Sequence, residues 1–287
     1  MAATVFYLDE VPEPGAVAVL DGPEGRHAAT VRRIKVGEPI TLSDGHGVLA
    51  DSEVVAAQKD RLELAVRDRR LATPPTPQVT VVQALPKSDR SELAVELMTE
   101  AGADLIVPWQ AARCVANWEA KAGKGIDKWR AAAKSAARQS RRAYIPEIAG
   151  LHRTRDLVEL VRKAKADGAI VAALHESGAG KFTELPLAQA REVVLIVGPE
   201  GGLDDAELAA LEEAGADIVL LGPTVLRTST AAAHSCSPAR SQRSQRTERD
   251  GRRIPRAPFN HCAVSVLGGK LISSNTRSKP EAGCSHF

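Results

Sequence analysis

Cysteine is scarce in this chain and poorly placed for chemistry. Only Cys114 lies in the patterned body, while Cys236, Cys262 and Cys284 are scattered, with no C-x-x-C pair and no His at metal-ligand spacing. No metal site and no disulfide framework is expected from such usage. Aromatic residues make up 3% of the chain, too few for a ladder that stacks single-stranded bases. Trp109, Trp118 and Trp129 therefore read as packing residues. Long hydrophobic runs are missing as well. Nothing approaches the roughly 18 apolar residues of a membrane span, and the start from Met1 to Tyr7 has no basic region followed by an apolar core. These absences predict a cytoplasmic protein with no membrane partner. No G-x-G-x-x-G follows the first strand of the predicted sheet, and Ser177-Gly178-Ala179-Gly180-Lys181-Phe182 misses the P-loop spacing, which argues against dinucleotide and nucleoside triphosphate sites.

What is present is an ordinary globular composition, 44% apolar and 26% charged over 287 residues, enough for one large or two small domains. The formal charge of +2 hides an asymmetry. From His234 onward ten Lys and Arg face three acids, so this tail carries +7 and leaves −5 on the rest.

Short β-like runs at 17–20, 39–42, 52–55 and 62–66 are separated by turn signals at Asp21-Gly22 and Asp44-Gly45-His46-Gly47, the pattern of a small β-barrel over 1–72. The proline-rich stretch 73–78 reads as a stiff linker. Beyond it, apolar runs at 79–85, 105–109, 169–174, 193–197 and 218–221 alternate with helical patterns, which predicts an α/β domain with a largely parallel sheet over 79–233. Ser88 or Asp89 is placed to cap a helix with Leu93, Leu97, Met98 and Ala101 on one face and Gly102 as its stop, and Asp204 with Glu207 forms a capping box. A further helix over 127–142 surrounds an alanine stripe with basic residues.

Two of the strands end in Gly-Pro loops, Gly198-Pro199-Glu200-Gly201-Gly202 and Gly222-Pro223. In an open α/β sheet, ligands bind at the carboxyl ends of the strands, where glycine lets backbone groups come close. Either turn alone is an ordinary strand exit; the two in order make a candidate site. Glu200, Asp204 and Asp205 oppose an anion at the first loop, so a neutral or cationic ligand is expected there.

With Leu221 to Ala231 read as LGPTVLRTSTA, the pattern resembles the RsmE family. Further matching segments are Glu24 to His27, Val31 to Arg33, Glu100 to Ala103, Ala112 to Cys114, Pro146 to Ile148 and Leu174 to Glu176. The resemblance runs from about Phe6 to Ala233. It implies a SPOUT-superfamily α/β methyltransferase domain with a trefoil knot, preceded by a PUA-like β-barrel. It also implies methylation of uridine N3 in small-subunit (16S) ribosomal RNA, and a homodimer. The donor implied is S-adenosylmethionine, whose sulfonium suits an acidic rim. Carried onto this sequence, its site comprises Leu174, His175, Gly198, Pro199, Glu200, Gly201, Gly202, Leu221, Gly222, Val225, Leu226, Arg227, Thr228, Thr230 and Ala231. Arg227 is the candidate catalytic residue, as an anion-stabilising or base-positioning group; no general base is assigned. Arg26, Arg32 and Arg33 on the barrel and Arg138, Arg141 and Arg142 on the basic helix are candidate RNA contacts.

The family continues past Ala233 as an Ala/Leu-rich helix. This chain turns instead to Arg/Ser-rich sequence, so 234–287 is expected to be a basic, disordered tail, of the kind a shifted reading frame near codon 233 would produce. That departure keeps a rival reading open, in which the chain is an inactive copy or a non-catalytic RNA-binding protein.

Overall fold

The computed structural model describes residues 4–222, 224 and 226–249, with side chains to 239. Val225 and the segment 250–287 lie outside the described residues, so the expectations for them stand as made.

The N-terminal part forms β1 (Thr4–Tyr7), β2 (Val17–Leu20), the short helix α1 (Gly22–Arg26), β3 (Pro39–Ser43), β4 (Val48–Gln58) and β5 (Arg61–Leu71). The strand order is β1-β3-β4-β5-β2, with β1 parallel to β3 and the other pairs antiparallel. Phe6, Leu20, Leu42, Val54 and Leu64, from five different strands, share one apolar cluster. The sheet therefore wraps one core, as period-2 alternation in β5 requires.

The second part begins with β6 (Gln78–Ala84), followed by α2 (Ser91–Ala101), β7 (Leu105–Gln110), α3 (Ala122–Gln139), β8 (Glu147–Ile148) and β9 (His152–Arg153). Then come α4 (Thr154–Ala166), β10 (Ile170–Leu174), β11 (Gly180–Lys181), β12 (Glu192–Val197), α5 (Asp205–Glu213), β13 (Asp217–Leu220) and α6 (Thr228–Arg249). Every pairing is parallel, in the order β11-β13-β10-β12-β6-β7-β8, with β9 also on β7. Strands such as β12, Glu-Val-Val-Leu-Ile-Val, are apolar almost throughout because both faces are covered. Val79 and Val81 join a cluster with buried residues of α2, α3 and α6, whereas Val82 and Ala84 join one with α4 and α5. Trp109 and Trp129 are fully buried, and Trp118 packs edge-on against Trp129 at 5.1 Å.

Several elements depart from the sequence reading. The turn at Ser88–Arg90 is 3₁₀, and α2 starts at Ser91 without a side-chain cap. Its buried face is Ala94, Val95, Met98 and Thr99, leaving Leu93 41% exposed. Gly102 ends it as expected, at φ 103°, a conformation that favours glycine. Helix α3 begins five residues earlier than expected and stops at Gln139, so Arg141 and Arg142 lie beyond it.

The largest departure is α6. Disorder was expected from His234, yet the helix runs unbroken to Arg249. Ala231, Ala232, Ser235, Cys236 and Ala239 are buried, a small-residue stripe at i, i+1, i+4, i+5 and i+8 that lets the helix pack closely on its neighbours. Ser235 hides its polarity by donating its hydroxyl to the carbonyls of Ala231 (3.1 Å) and Ala232 (2.9 Å).

The barrel is sewn to the parallel sheet by backbone and side-chain bonds. Gly47 N–H donates to Ala143 O (3.0 Å), Ile145 N–H to Gly45 O (2.9 Å), and the Tyr144 hydroxyl to Ala72 O (2.7 Å). The Tyr7 hydroxyl, on β1, donates to Arg142 O at 2.8 Å, and Tyr7 packs with Val5, Ala137 and Ile145. Burial pushes the Tyr7 hydroxyl up to about 12. Because the fold favours the neutral phenol over its ordinary value of 10.0, its contribution is complete below that value and is lost as pH climbs toward about 12. Urea unfolding at about pH 9 and about pH 11 should show a smaller alkaline loss of stability in Tyr7→Phe than in the parent chain.

Candidate functional site

Four strands, β13, β10, β12 and β6, lie side by side, and the segments leaving their carboxyl ends enclose a cleft of about 870 Å³. The chain reverses its direction of sheet growth here, since β7 lies on one side of β6 and β12 on the other. Such switch points leave a crevice for ligands. Leu174, His175, Gly198, Pro199, Glu200, Gly201, Gly202, Leu221, Gly222, Leu226, Arg227, Thr228 and Ala231 all line it. Three stretches far apart in sequence therefore meet as the Gly-Pro loops suggested. Thr230 does not line the cleft; its hydroxyl donates to Arg227 O at 3.1 Å in the first turn of α6.

The walls are held from behind. Asp204 accepts from Glu207 N–H at 2.7 Å and Glu207 accepts from Asp204 N–H at 3.3 Å, so the expected capping box fixes the start of α5. The buried Glu207 carboxylate also accepts from Ala112 N–H and the Thr154 hydroxyl, both at 2.9 Å. One carboxylate thus joins three segments beneath the first loop. Arg113 reaches over that loop and donates to Gly201 O (3.4 Å) and Leu203 O (3.2 Å). Nearby, burial pushes the Cys114 thiol up, away from the thiolate a nucleophile needs.

The β10 loop is pinned to β13 by His175 N–H, which donates to Val219 O at 3.0 Å. Gly178 sits so close that a Cβ would lie 2.5 Å from the Val219 carbonyl carbon and 2.6 Å from Leu220 N. Backbone on both sides leaves no flexible atom to yield. Gly178→Ala should push β13 aside, cost about 1–3 kcal/mol in urea unfolding, and weaken any ligand held by Leu221 and Gly222.

Sequence reasoning passed over Lys87, Arg90, Glu176, Val197, Leu203 and Leu220, which also line the cleft, as do Thr224 and Ser229 within the expected stretch Leu221 to Ala231. Lys87 and Arg90 follow β6, whose end carries no glycine signal. Ser229 is 1% exposed, and its hydroxyl has no hydrogen-bond partner among the described residues.

The six arginines expected to face RNA divide. Arg26, Arg32, Arg33 and Arg141 are exposed. Arg138 and Arg142 differ, because both are half-buried and engaged within the protein. Arg138 pairs with Glu24 of the barrel, with side-chain exposures of 21% and 14%. Arg142 donates to Thr99 O and Ala103 O (both 2.7 Å), Tyr144 O (3.0 Å) and the Asp104 carboxylate (3.0 Å). A guanidinium with its donors saturated by the fold has little left for a phosphate.

Residues 73–239 match the family described as RNA methyltransferase domain, and residues 20–67 match the RNA methyltransferase PUA domain. The first match extends six residues past Ala233. A protein of Mycobacterium bovis named ribosomal RNA small subunit methyltransferase E is 57% identical over 234 residues, covering 81% of this chain and 89% of the relative. Among solved structures, a putative methyltransferase of Legionella pneumophila in complex with bound SAM is 27% identical, with a TM-score of 0.74 over 83% of this chain and 97% of that one. A ribosomal RNA small subunit methyltransferase E of Neisseria gonorrhoeae bound to S-adenosyl methionine is 26% identical, with a TM-score of 0.74 over 83% of this chain and 96% of that one.

Proposed function

The chain belongs to the RsmE family of SPOUT-class ribosomal RNA methyltransferases, and on that footing we propose that it methylates N3 of a uridine in small-subunit (16S) ribosomal RNA, using S-adenosylmethionine. The carrying observation is the convergence of three strand-end loops on one cleft at the switch point of a parallel sheet.

The residues present fit that cofactor. Leu174, Val197, Leu221 and Leu226 give apolar walls, while Glu176 and Glu200 supply negative charge for a sulfonium. Among the described residues, apart from its chain neighbours, no atom lies within 4 Å of where a side chain would begin at Gly222, which leaves its backbone open to a ligand. The unpartnered Ser229 hydroxyl adds an unused polar group to the wall. The proposed holders are the sequence-assigned residues that line the cleft together with Ser229. When bound, S-adenosylmethionine supplies a methyl group activated by its sulfonium.

Uridine N3 carries a proton and becomes nucleophilic on losing it, leaving an anion spread over the ring. Arg227 is exposed in the cleft at the start of α6. Its guanidinium stabilises that anion and orients the base, the two tasks left to the protein once the methyl is activated. Exposed Arg26, Arg32, Arg33 and Arg141 contact RNA phosphates. The passage from β13 into α6 forms the knot of this fold class, and the chain acts as a homodimer in the cytoplasm.

Calorimetric titration of S-adenosylmethionine into the full chain tests the reading. Saturable binding that is weakened in Gly178→Ala is expected. Absence of binding would overturn it and favour the rival of a non-catalytic RNA-binding protein.

A further inference from the structure

Many basic side chains around the parallel sheet are paired. Arg138, Arg142, Arg153 and Lys165 all have carboxylate partners. The three cations that line the cleft differ. Among the described residues no carboxylate lies within 4.0 Å of the Lys87 ammonium or the Arg227 guanidinium, and Arg90 has only its sequence neighbour Asp89, at 4.0 Å. Lys87 is also fixed in place, because its backbone N–H donates to Glu200 Oε1 at 3.2 Å across the cleft.

Lys87, Arg90 and Arg227 thus bring positive charge to a cleft that, on the reading above, takes an RNA substrate. Their charge suits an anionic ligand beside the cofactor, such as the phosphate backbone of that RNA. Strand order says where it sits. The loops assigned to the cofactor leave β10, β12 and β13, while Lys87 and Arg90 follow β6, at the other edge of the cleft.

We propose that Lys87 and Arg90 form an anion-binding rim that holds a phosphodiester of the substrate RNA next to the uridine entering the cleft. The proposal rests on the methyltransferase reading above. It makes these two side chains positioning residues, distinct from Arg227. A lysine as a point charge and an arginine as a planar fork, at the two ends of one 3₁₀ turn, suit two oxygens of one phosphate or two successive phosphates.

The test measures binding of unmodified small-subunit ribosomal RNA to the full chain over a range of salt, beside the double variant Lys87→Gln/Arg90→Gln and a control, Lys163→Gln, on α4. Both altered positions are solvent-facing or half-buried, and thermal melting verifies that each variant folds. The double variant should bind RNA about 10–100-fold more weakly at low salt and lose about 1.4–1.8 from the slope of log K against log salt, the share of two phosphate contacts. Affinity for S-adenosylmethionine should stay within about twofold, and Lys163→Gln should leave both unchanged. Restoring charge with Lys87→Arg/Arg90→Lys should recover most of the slope.

An unchanged RNA slope in the double variant overturns the proposal. So does a tenfold loss of S-adenosylmethionine affinity with an unchanged slope, which would place these cations on the cofactor's carboxylate. Failure of the parent chain to bind S-adenosylmethionine would overturn the enzyme reading instead, and with it the adjoining uridine, whatever the salt slopes show.

Discussion

Arg142→Ala is expected to destabilise the protein by about 3–5 kcal/mol, the usual loss when one partner of a buried ion pair is removed. The side chains of Arg142 and Asp104 are only 13% and 18% exposed. Without the guanidinium, the Asp104 carboxylate loses one donor beside the Val79 N–H it holds at 2.9 Å, and the carbonyls of Thr99, Ala103 and Tyr144 each lose one. These carbonyls span the end of α2 and the seam with the barrel, so the damage reaches two core regions. Urea unfolding gives the number. Arg141→Ala, one residue away but exposed, should stay within about 0.5 kcal/mol of the parent. Near-parental stability in Arg142→Ala, combined with weaker RNA binding, would restore Arg142 to the RNA surface and refute its structural role.

Ending the chain at Ala233 should cost about 2–4 kcal/mol and abolish tight binding of S-adenosylmethionine. Cys236 and Ala239 would be lost from the cluster shared with α2 and β12, and each fully buried apolar group contributes up to a few kcal/mol. The six residues left of α6 are too few to hold a helix unaided. Thr228, Ser229 and Ala231 at its start line the cleft, so fraying of this stub reaches the ligand directly. Ending the chain at Arg249 retains the whole helix and is the matched control. Equal melting temperatures and equal cofactor affinity for the two truncations would show that α6 beyond Ala233 contributes nothing.

The parallel sheet was legible because buried parallel strands announce themselves as apolar runs, and the runs at 193–197 and 218–221 fall within or beside β12 and β13. The cleft was half legible. Gly198 to Gly202 carry a glycine signal for a ligand loop, but the β6 exit, Leu85-Pro86-Lys87, has no glycine, so Lys87 and Arg90 emerged only from strand order. Burial of charge was hidden as well. Arg138 and Arg142 read as a basic helix face, since sequence spacing shows neither Glu24 nor Asp104, which lie 114 and 38 residues away. Helix α6 misled for a different reason. Its packing stripe is Ala, Ser and Cys, which scarcely registers as hydrophobic, while the Arg/Ser-rich sequence that follows has the composition of disorder.

The measurement to make first in judging the whole reading is nucleoside analysis of small-subunit ribosomal RNA, obtained without the modification and incubated with the full chain and methyl-labelled S-adenosylmethionine. Label eluting as 3-methyluridine is the predicted result, and it should be lost with Arg227→Ala. Label on a ribose 2′-oxygen, or on a base other than uracil, would contradict it.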